Sequence, residues 1–279
     1  MSVRGGTLAW REWGDPGEPP VLALHGWLDN AASFEALGPL VEGYRLIAPD
    51  LPGHGLSAHR GPEGSYNIWD DLPDLLAFLR ALGIARCAVL GHSRGAFIGT
   101  LLAAIAPEQV QSLALLDGLA PPPFDPADTV TQLRKFAEDY GLRETRGAKL
   151  YPDVDQAVAA RCHATGIDPR AAAMLVSRSL ETCEGGLRWR TDGRLRYASA
   201  QKLGEPQLRV ALGSVRAPAL LLLAEGMISD RTAHSGMTDW LPGLGVESIP
   251  GCHHWHMLDA APAIAARLGE FWRAHEHRT

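Results

Sequence analysis

The stretch Cys87-Ala88-Val89-Leu90-Gly91-His92-Ser93-Arg94-Gly95-Ala96-Phe97-Ile98 decides how the rest of the chain is read. Its first four residues form an apolar run of strand length, and an apolar helical pattern follows from Ala96. Between them Gly91-x-Ser93-x-Gly95 fits a sharp strand-to-helix turn. In such a turn the serine backbone is strained and its hydroxyl stands clear of the sheet. Glycines two residues to either side let strand and helix approach without a side-chain clash. The helix N-terminus aims its dipole and free N–H groups at the serine, which favours negative charge there. A plain glycine-rich βα turn can show the same five letters. The strand before it, the apolar helix after it and its place near the end of the first third of the chain select Ser93 as the candidate nucleophile.

Outward from this turn, short apolar runs alternate with helical patterns. That alternation is the signature of a mostly parallel sheet covered by helices. Strands are expected at 21–24, 45–48, 87–90, 113–116, 219–223 and 246–249. Phe34, Leu37, Leu40 and Val41 share one helical face; so do Trp69, Leu72, Leu76 and Leu79, and later Ile264, Leu268, Phe271 and Trp272. Pro107 closes the helix that carries Phe97, Leu101 and Ile105. From 121 to 215 the alternation stops. Pro121-Pro122-Pro123 cannot continue a helix or a sheet ladder. Helical patterns follow around 130–140, 154–163 and 169–180. The stretch is too long for a loop and reads as a helical cap, so the expected organisation is core 1–120, cap 121–215 and core 216–279.

The 279 residues suffice for one such domain with a sizeable core, and 46% hydrophobic with 21% charged residues is ordinary for a soluble globular protein. A net charge of −6 without a basic stripe argues against a nucleic-acid partner. The N-terminus has no apolar signal core, and the longest apolar run near 220 is far too short to span a bilayer. Cys87, Cys162, Cys183 and Cys252 are scattered without ligand spacing; they read as free thiols, chance disulfides remaining open, and the expected compartment is the cytoplasm. Residues 121–213 carry 14 Lys+Arg and 12 Asp+Glu, a charge of +2, which leaves −8 for the rest. A mildly positive cap over an acidic core reads first as solvated surface, with a slight lean toward an acidic substrate group.

Developing charge on an acyl oxygen needs preorganised N–H donors. One is expected from the backbone of Arg94, just after the nucleophile. The other is expected from the turn after the strand at 21–24, where His25-Gly26-Trp27 places the Trp27 N–H. His25 itself reads as a loop-bracing residue. The Arg94 guanidinium is always charged, and burying it alone is costly. It must meet an internal acid, with Asp117, Glu225 and Asp230 as candidates, or a carboxylate on the substrate; the internal pair is the preferred reading.

His25-Gly26-Trp27, then Asp50-Leu51-Pro52-Gly53-His54-Gly55-Leu56-Ser57, then Gly91–Gly95 resemble the α/β-hydrolase family in order and spacing, over nearly the whole chain. More narrowly, His25-Gly26-Trp27-Leu28-Asp29-Asn30, Asp192-Gly193-Arg194-Leu195 and Gly251-Cys252-His253-His254-Trp255-His256 resemble the serine hydrolase-like proteins, a subgroup whose natural substrates are poorly defined. The resemblance implies a general base in the loop after the last strand. The broad family's spacing from a glycine gives His254. The subgroup's Gly-x-His-x-x-His gives His253 as base and His256 as a packing residue, and His253 is preferred. His275 and His277 read as solvated. The family's acid usually follows the strand at 219–223, but Met227 occupies that place. Asp117, at the end of the preceding strand, is the preferred acid, since certain haloalkane dehalogenases place theirs similarly. Asp230 and Glu225 stay open. The plainer reading of Asp117 is a polar strand end at the cap hinge.

These residues imply hydrolysis of an ester-like bond in a small-molecule substrate through an acyl-enzyme, with no metal or organic cofactor and no nucleic-acid or membrane partner. Lactone or C–C bond hydrolysis would use the same residues. Dehalogenase and epoxide hydrolase chemistry is disfavoured, because the nucleophile there is a carboxylate. A ligand-binding protein that kept the fold without the chemistry is the alternative of a different class.

Overall fold

The computed structural model describes residues 1–3, 6–141, 149–225 and 236–276. The chain opens with a short antiparallel pair, β1 (Ser2–Val3) and β2 (Gly6–Thr7), followed by β3 (Trp10–Trp13), β4 (Pro20–Leu24) and β5 (Arg45–Pro49). Next come α1 (Leu72–Ala81), β6 (Cys87–His92), α2 (Arg94–Ile105) and β7 (Val110–Leu116). The intervening segment holds α3 (Thr129–Gly141), α4 (Val154–Thr165), α5 (Pro169–Ser179), the hairpin β8 (Leu180–Cys183) and β9 (Gly186–Trp189), and α6 (Glu205–Gly213). The chain then returns through β10 (Ala219–Ala224), β11 (Gly245–Ile249) and α7 (Ala261–Arg273).

Seven strands form one sheet in the order β11-β10-β7-β6-β4-β5-β3. Every pair is parallel except β3 with β5. Parallel strands covered on both faces read as continuous apolar runs, and alternate residues then serve opposite faces. Leu22, Leu24, Val89, Leu113, Leu115 and Leu221 face α1, α2 and α6 in one core. Val21, Ala23, Leu90, Ala114, Leu116, Leu220 and Leu222 face α7 in the other, against Ile264, Leu268, Phe271 and Trp272. Full burial of each such side chain contributes roughly 1.5–3 kcal/mol, so the four central strands anchor the loops at their C-terminal ends.

The face shared by Phe34, Leu37, Leu40 and Val41 is not one helix. It is two 3₁₀ turns, Ala31–Phe34 and Gly38–Leu40. Gly38-Pro39 interrupts the pattern, since proline cannot donate to the preceding turn. Among the described residues between 121 and 215, no strand joins the central sheet. The hairpin of β8 and β9 is a small separate sheet, and α6 buries Leu208 and Leu212 in the main core beside α2. All four cysteines are free. No helix among the described residues is long and apolar enough to cross a membrane.

Candidate active site

Ser93 stands between β6 and α2 with φ 51° and ψ −115°. Its flanking glycines are required by contact. A Cβ on Gly95 would lie 2.0 Å from the Leu24 carbonyl oxygen, and one on Gly91 would lie 2.5 Å from the Ala96 Cα. The Ser93 N–H donates to the Leu116 carbonyl at 2.9 Å, fixing the turn to the end of β7.

Asp117 follows β7 directly and also has positive φ, 50°. Its N–H donates to the Leu222 carbonyl at 2.8 Å, and its Oδ1 accepts from the Ala224 N–H at 3.1 Å, so β10 holds it from both ends. Its Oδ2 accepts from His253 Nδ1 at 2.5 Å. The carboxylate is buried, while 26% of the His253 side chain is exposed. The next residue, Gly118, abuts the nucleophile: a Cβ there would sit 2.9 Å from the Ser93 carbonyl oxygen. His253 is held to the elbow a second time, since His92 Nε2 donates to the His253 carbonyl at 2.9 Å. The structure therefore brings Ser93, Asp117 and His253 to the C-terminal ends of β6 and β7 and the loop after β11.

The alternatives among the described residues make other contacts. His254 points its Nε2 at Asp29 Oδ2, 3.7 Å away. His256 is wholly buried, its ring 4.2 Å from that of His92 and 5.9 Å from that of Phe34. Glu225 is exposed on the turn after β10. Met227, Asp230 and His277 lie outside the described residues.

The loop after β4 carries Trp27. His25 braces it: Nδ1 donates to the Gly26 carbonyl at 2.8 Å, and Nε2 accepts from the Leu51 N–H at 2.9 Å. Leu28 has φ 62°. Among the described residues the non-glycine positive-φ positions are Leu28, Ser93 and Asp117, one in each of the loops after β4, β6 and β7. Left-handed backbone costs on the order of 1–3 kcal/mol per residue and gathers where geometry serves a site. The backbone N–H groups of Trp27 and Arg94, the expected oxyanion donors, reach no carbonyl in the turns and loops among the described residues. The Trp27 indole donates to the Leu195 carbonyl at 3.0 Å, joining this loop to the inserted segment. Asp192 makes a second joint. It accepts from the Tyr66 hydroxyl and from Arg194 Nη2, both at 2.7 Å.

Arg94 meets an internal acid, but not one of the three expected. Its Nη2 lies 2.9 Å from Asp71 Oδ2 and donates to the Tyr66 carbonyl at 3.2 Å. Asp71 also pairs with Arg60 at 2.9 Å, and Arg60 with Asp74 at 2.8 Å. The partner sits at the start of α1, which packs against α2. Arg94→Met is therefore expected to lower stability by about 3 kcal/mol, the low end for breaking a buried pair because Arg60 still faces Asp71. Thermal denaturation checks this. Selectivity between a neutral ester and its carboxylate-bearing analogue should not change.

Burial holds several histidines neutral. His25 and His54 are almost fully buried, and desolvation lowers the pKa of both, His54 well below the usual value. Below about pH 6.5 the unfolded chain takes up protons that these rings refuse in the folded state. Stability is thus full above that pH and falls as pH drops toward the folded pKa values. The expected loss approaches about 1.4 kcal/mol per pH unit for each ring. Urea melts between pH 7 and 5 measure it; an unchanged midpoint would refute it.

Two larger cavities lie in and beside the inserted segment. One of about 760 Å³ is lined by Trp69, Phe124 and Gln132 among others. One of about 440 Å³ is lined by Tyr151, Arg161, Trp189, Arg196 and Tyr197 among others. Neither is lined by Ser93 or His253.

The family model described as alpha/beta hydrolase fold matches residues 19–161. A serine hydrolase-like protein of Danio rerio is 29% identical over 97% of this chain and 86% of its own length. The human serine hydrolase-like protein is 41% identical over 42% of this chain and 58% of its own length. The crystal structure of a hypothetical protein from Pseudomonas aeruginosa PAO1 superposes with a TM-score of 0.92, at 37% identity and 98% coverage of both chains. The matched residues run from the start of β4 to α4 and include the elbow at Ser93 and the Asp117 turn, and with that match the chain belongs to the α/β-hydrolase family.

Proposed function

We propose that this chain is a serine hydrolase that cleaves an ester-like bond of a small-molecule substrate through an acyl-enzyme. The observation that carries the reading is the Asp117–His253 contact beside the strained Ser93 turn. Ser93 Oγ attacks the acyl carbon as His253 takes its proton, and His253 returns that proton to the leaving oxygen. Asp117 holds the ring with its Nδ1–H inward and stabilises the imidazolium. The Trp27 and Arg94 N–H groups receive the charge on the acyl oxygen. Water then repeats the sequence on the acyl-enzyme, releasing the acid and restoring Ser93. The route requires no cofactor.

Several relatives carry serine hydrolase-like names, which supports a serine route without naming a substrate. Labelling with a fluorophosphonate tests the reading, because the probe needs an activated serine. Stoichiometric labelling at Ser93, with turnover of p-nitrophenyl acetate or butyrate, is the expected result. An unlabelled folded protein would leave the fold as a ligand-binding scaffold. Labelling without turnover of simple esters would turn the search to lactones and C–C bonds, which the same groups can cleave.

A further inference from the structure

Four imidazoles crowd behind the elbow. The rings of His253, His254 and His256 lie 4.7, 5.3 and 4.2 Å from that of His92. One side-chain nitrogen from each of His92, His253 and His254 lies within 4.8 Å of the others. The tautomer of His92 follows from its contacts. Nε2 faces the His253 carbonyl, which only accepts, so Nε2 carries the hydrogen and Nδ1 the lone pair. That Nδ1 is fully buried and has no hydrogen-bond partner among the described residues. The same holds for Asp29 Oδ2. These two bare acceptors stand 3.8 Å apart, and Asp29 Oδ2 is 3.7 Å from His254 Nε2. The other oxygen of Asp29 accepts from Arg161 Nη2 at 2.9 Å.

Two facing buried acceptors without a donor are a costly arrangement, since each loses its hydration and gains nothing in return. A divalent cation answers both groups at once. Imidazole nitrogen with one carboxylate is a donor set that suits zinc and its neighbours in the transition series rather than magnesium or calcium. Bonds of about 2.0–2.2 Å at a tetrahedral centre place ligand atoms about 3.3–3.6 Å apart. The two separations to Asp29 Oδ2 need to close by a few tenths of an ångström, and the imidazole nitrogens, which lie within 4.8 Å of one another, by up to about 1.5 Å, within reach of side-chain rotation. Access is from the active-site side, where His253 and His254 retain 26% and 14% side-chain exposure.

We propose that Asp29, His92 and His254 form a binding site for a divalent transition-metal ion of the zinc class, with His253 at its rim, and that occupancy reversibly inhibits the enzyme. The inhibitory consequence rests on the reading of His253 as base; the binding does not. Attack by Ser93 requires His253 to become an imidazolium. The rings of His92 and His254 lie 4.7 and 5.0 Å from that of His253, so a doubly positive ion held between them stands against the ring that must take the Ser93 proton.

The test uses the full chain after EDTA treatment. Co(II) is titrated in and its visible d–d absorption followed, which distinguishes a low-coordinate nitrogen–oxygen site from the aqueous ion. Zn(II) is then titrated against p-nitrophenyl butyrate turnover and against fluorophosphonate labelling. The expected result is one Co(II) per chain, displaced by Zn(II), with both activities falling and returning on EDTA addition. His254→Gln and Asp29→Asn should each weaken binding about tenfold or more, and raise the inhibitory zinc concentration in proportion, each variant being read against its own metal-free rate. Cys252→Ser, which removes the exposed thiol next to His253, should change neither. Binding unaffected by both ligand variants, binding lost in Cys252→Ser, or a 1:1 complex that turns over at the metal-free rate would each overturn the proposal. A protein with no turnover and no labelling would overturn the hydrolase reading instead, and the Co(II) spectra of wild type and variants would still decide the site.

Discussion

Ser93→Ala is expected to remove ester turnover by about 10³-fold or more, with the fold unchanged. The magnitude follows from what alanine deletes. The strained turn, the N–H to Leu116 and the abutting glycines all belong to the backbone and survive. The Trp27 and Arg94 N–H groups stay where they are. What vanishes is the atom that forms the covalent bond, and with it any use for the proton transfer through His253. Residual activity would come from oxyanion stabilisation and substrate binding alone. The melting temperature should hold, because the Cβ and the unusual φ are common to both residues. Steady-state rates with p-nitrophenyl butyrate, beside a thermal melt, settle the matter. A folded variant turning over at the wild-type rate would move the nucleophile away from the elbow.

What the sequence made legible follows the range of each signal. The elbow was readable because strand, glycines, serine and helix are contiguous, and every reason for them lies within a dozen residues. The central strands were readable because burial on both faces leaves unbroken apolar runs. The two oxyanion candidates rest on equally local signals at strand ends. The pairing of His253 with Asp117 is different in kind. It joins residues 136 apart, and the choice over His254 leaned on the spacing of a resembling subgroup. The partner of Arg94 was missed for a related reason. Asp71 lies at the start of α1, and nothing in its neighbourhood marks it as facing α2. The hairpin of β8 and β9 carries only Gly185-Gly186 as a local signal, and its strands are half-exposed rather than apolar. In α6, Leu208 and Leu212 are the two buried anchors, too few to raise a periodicity above the surrounding polar residues. Asp29 stood out only as part of the His25–Asn30 resemblance, with no role attached, since its partners Arg161, His92 and His254 come from three distant segments.

Asp117→Asn is expected to lower kcat by about 10⁴-fold, more than simple loss of a charge would suggest. The hydrogen bonds of the carboxylate explain why. Oδ1 accepts from the Ala224 N–H, and Oδ2 accepts from His253 Nδ1. An asparagine must choose which atom faces which partner. The Ala224 N–H can only donate, so the amide oxygen turns to it and the NH₂ group turns to His253. That NH₂ donates, which obliges Nδ1 to accept and moves the ring hydrogen to the other nitrogen. The nitrogen that should take the Ser93 proton then already carries one. Asp117→Ala imposes no tautomer and should be no more damaging than the isosteric amide, an order opposite to the one expected from size. Stability should move little in the asparagine variant, since both hydrogen bonds persist. Asp230→Asn should leave kcat within a few-fold. The reverse pattern, with Asp117→Asn active and Asp230→Asn dead, would transfer the acid to the loop after β10 and leave Asp117 as a hinge residue at the end of β7.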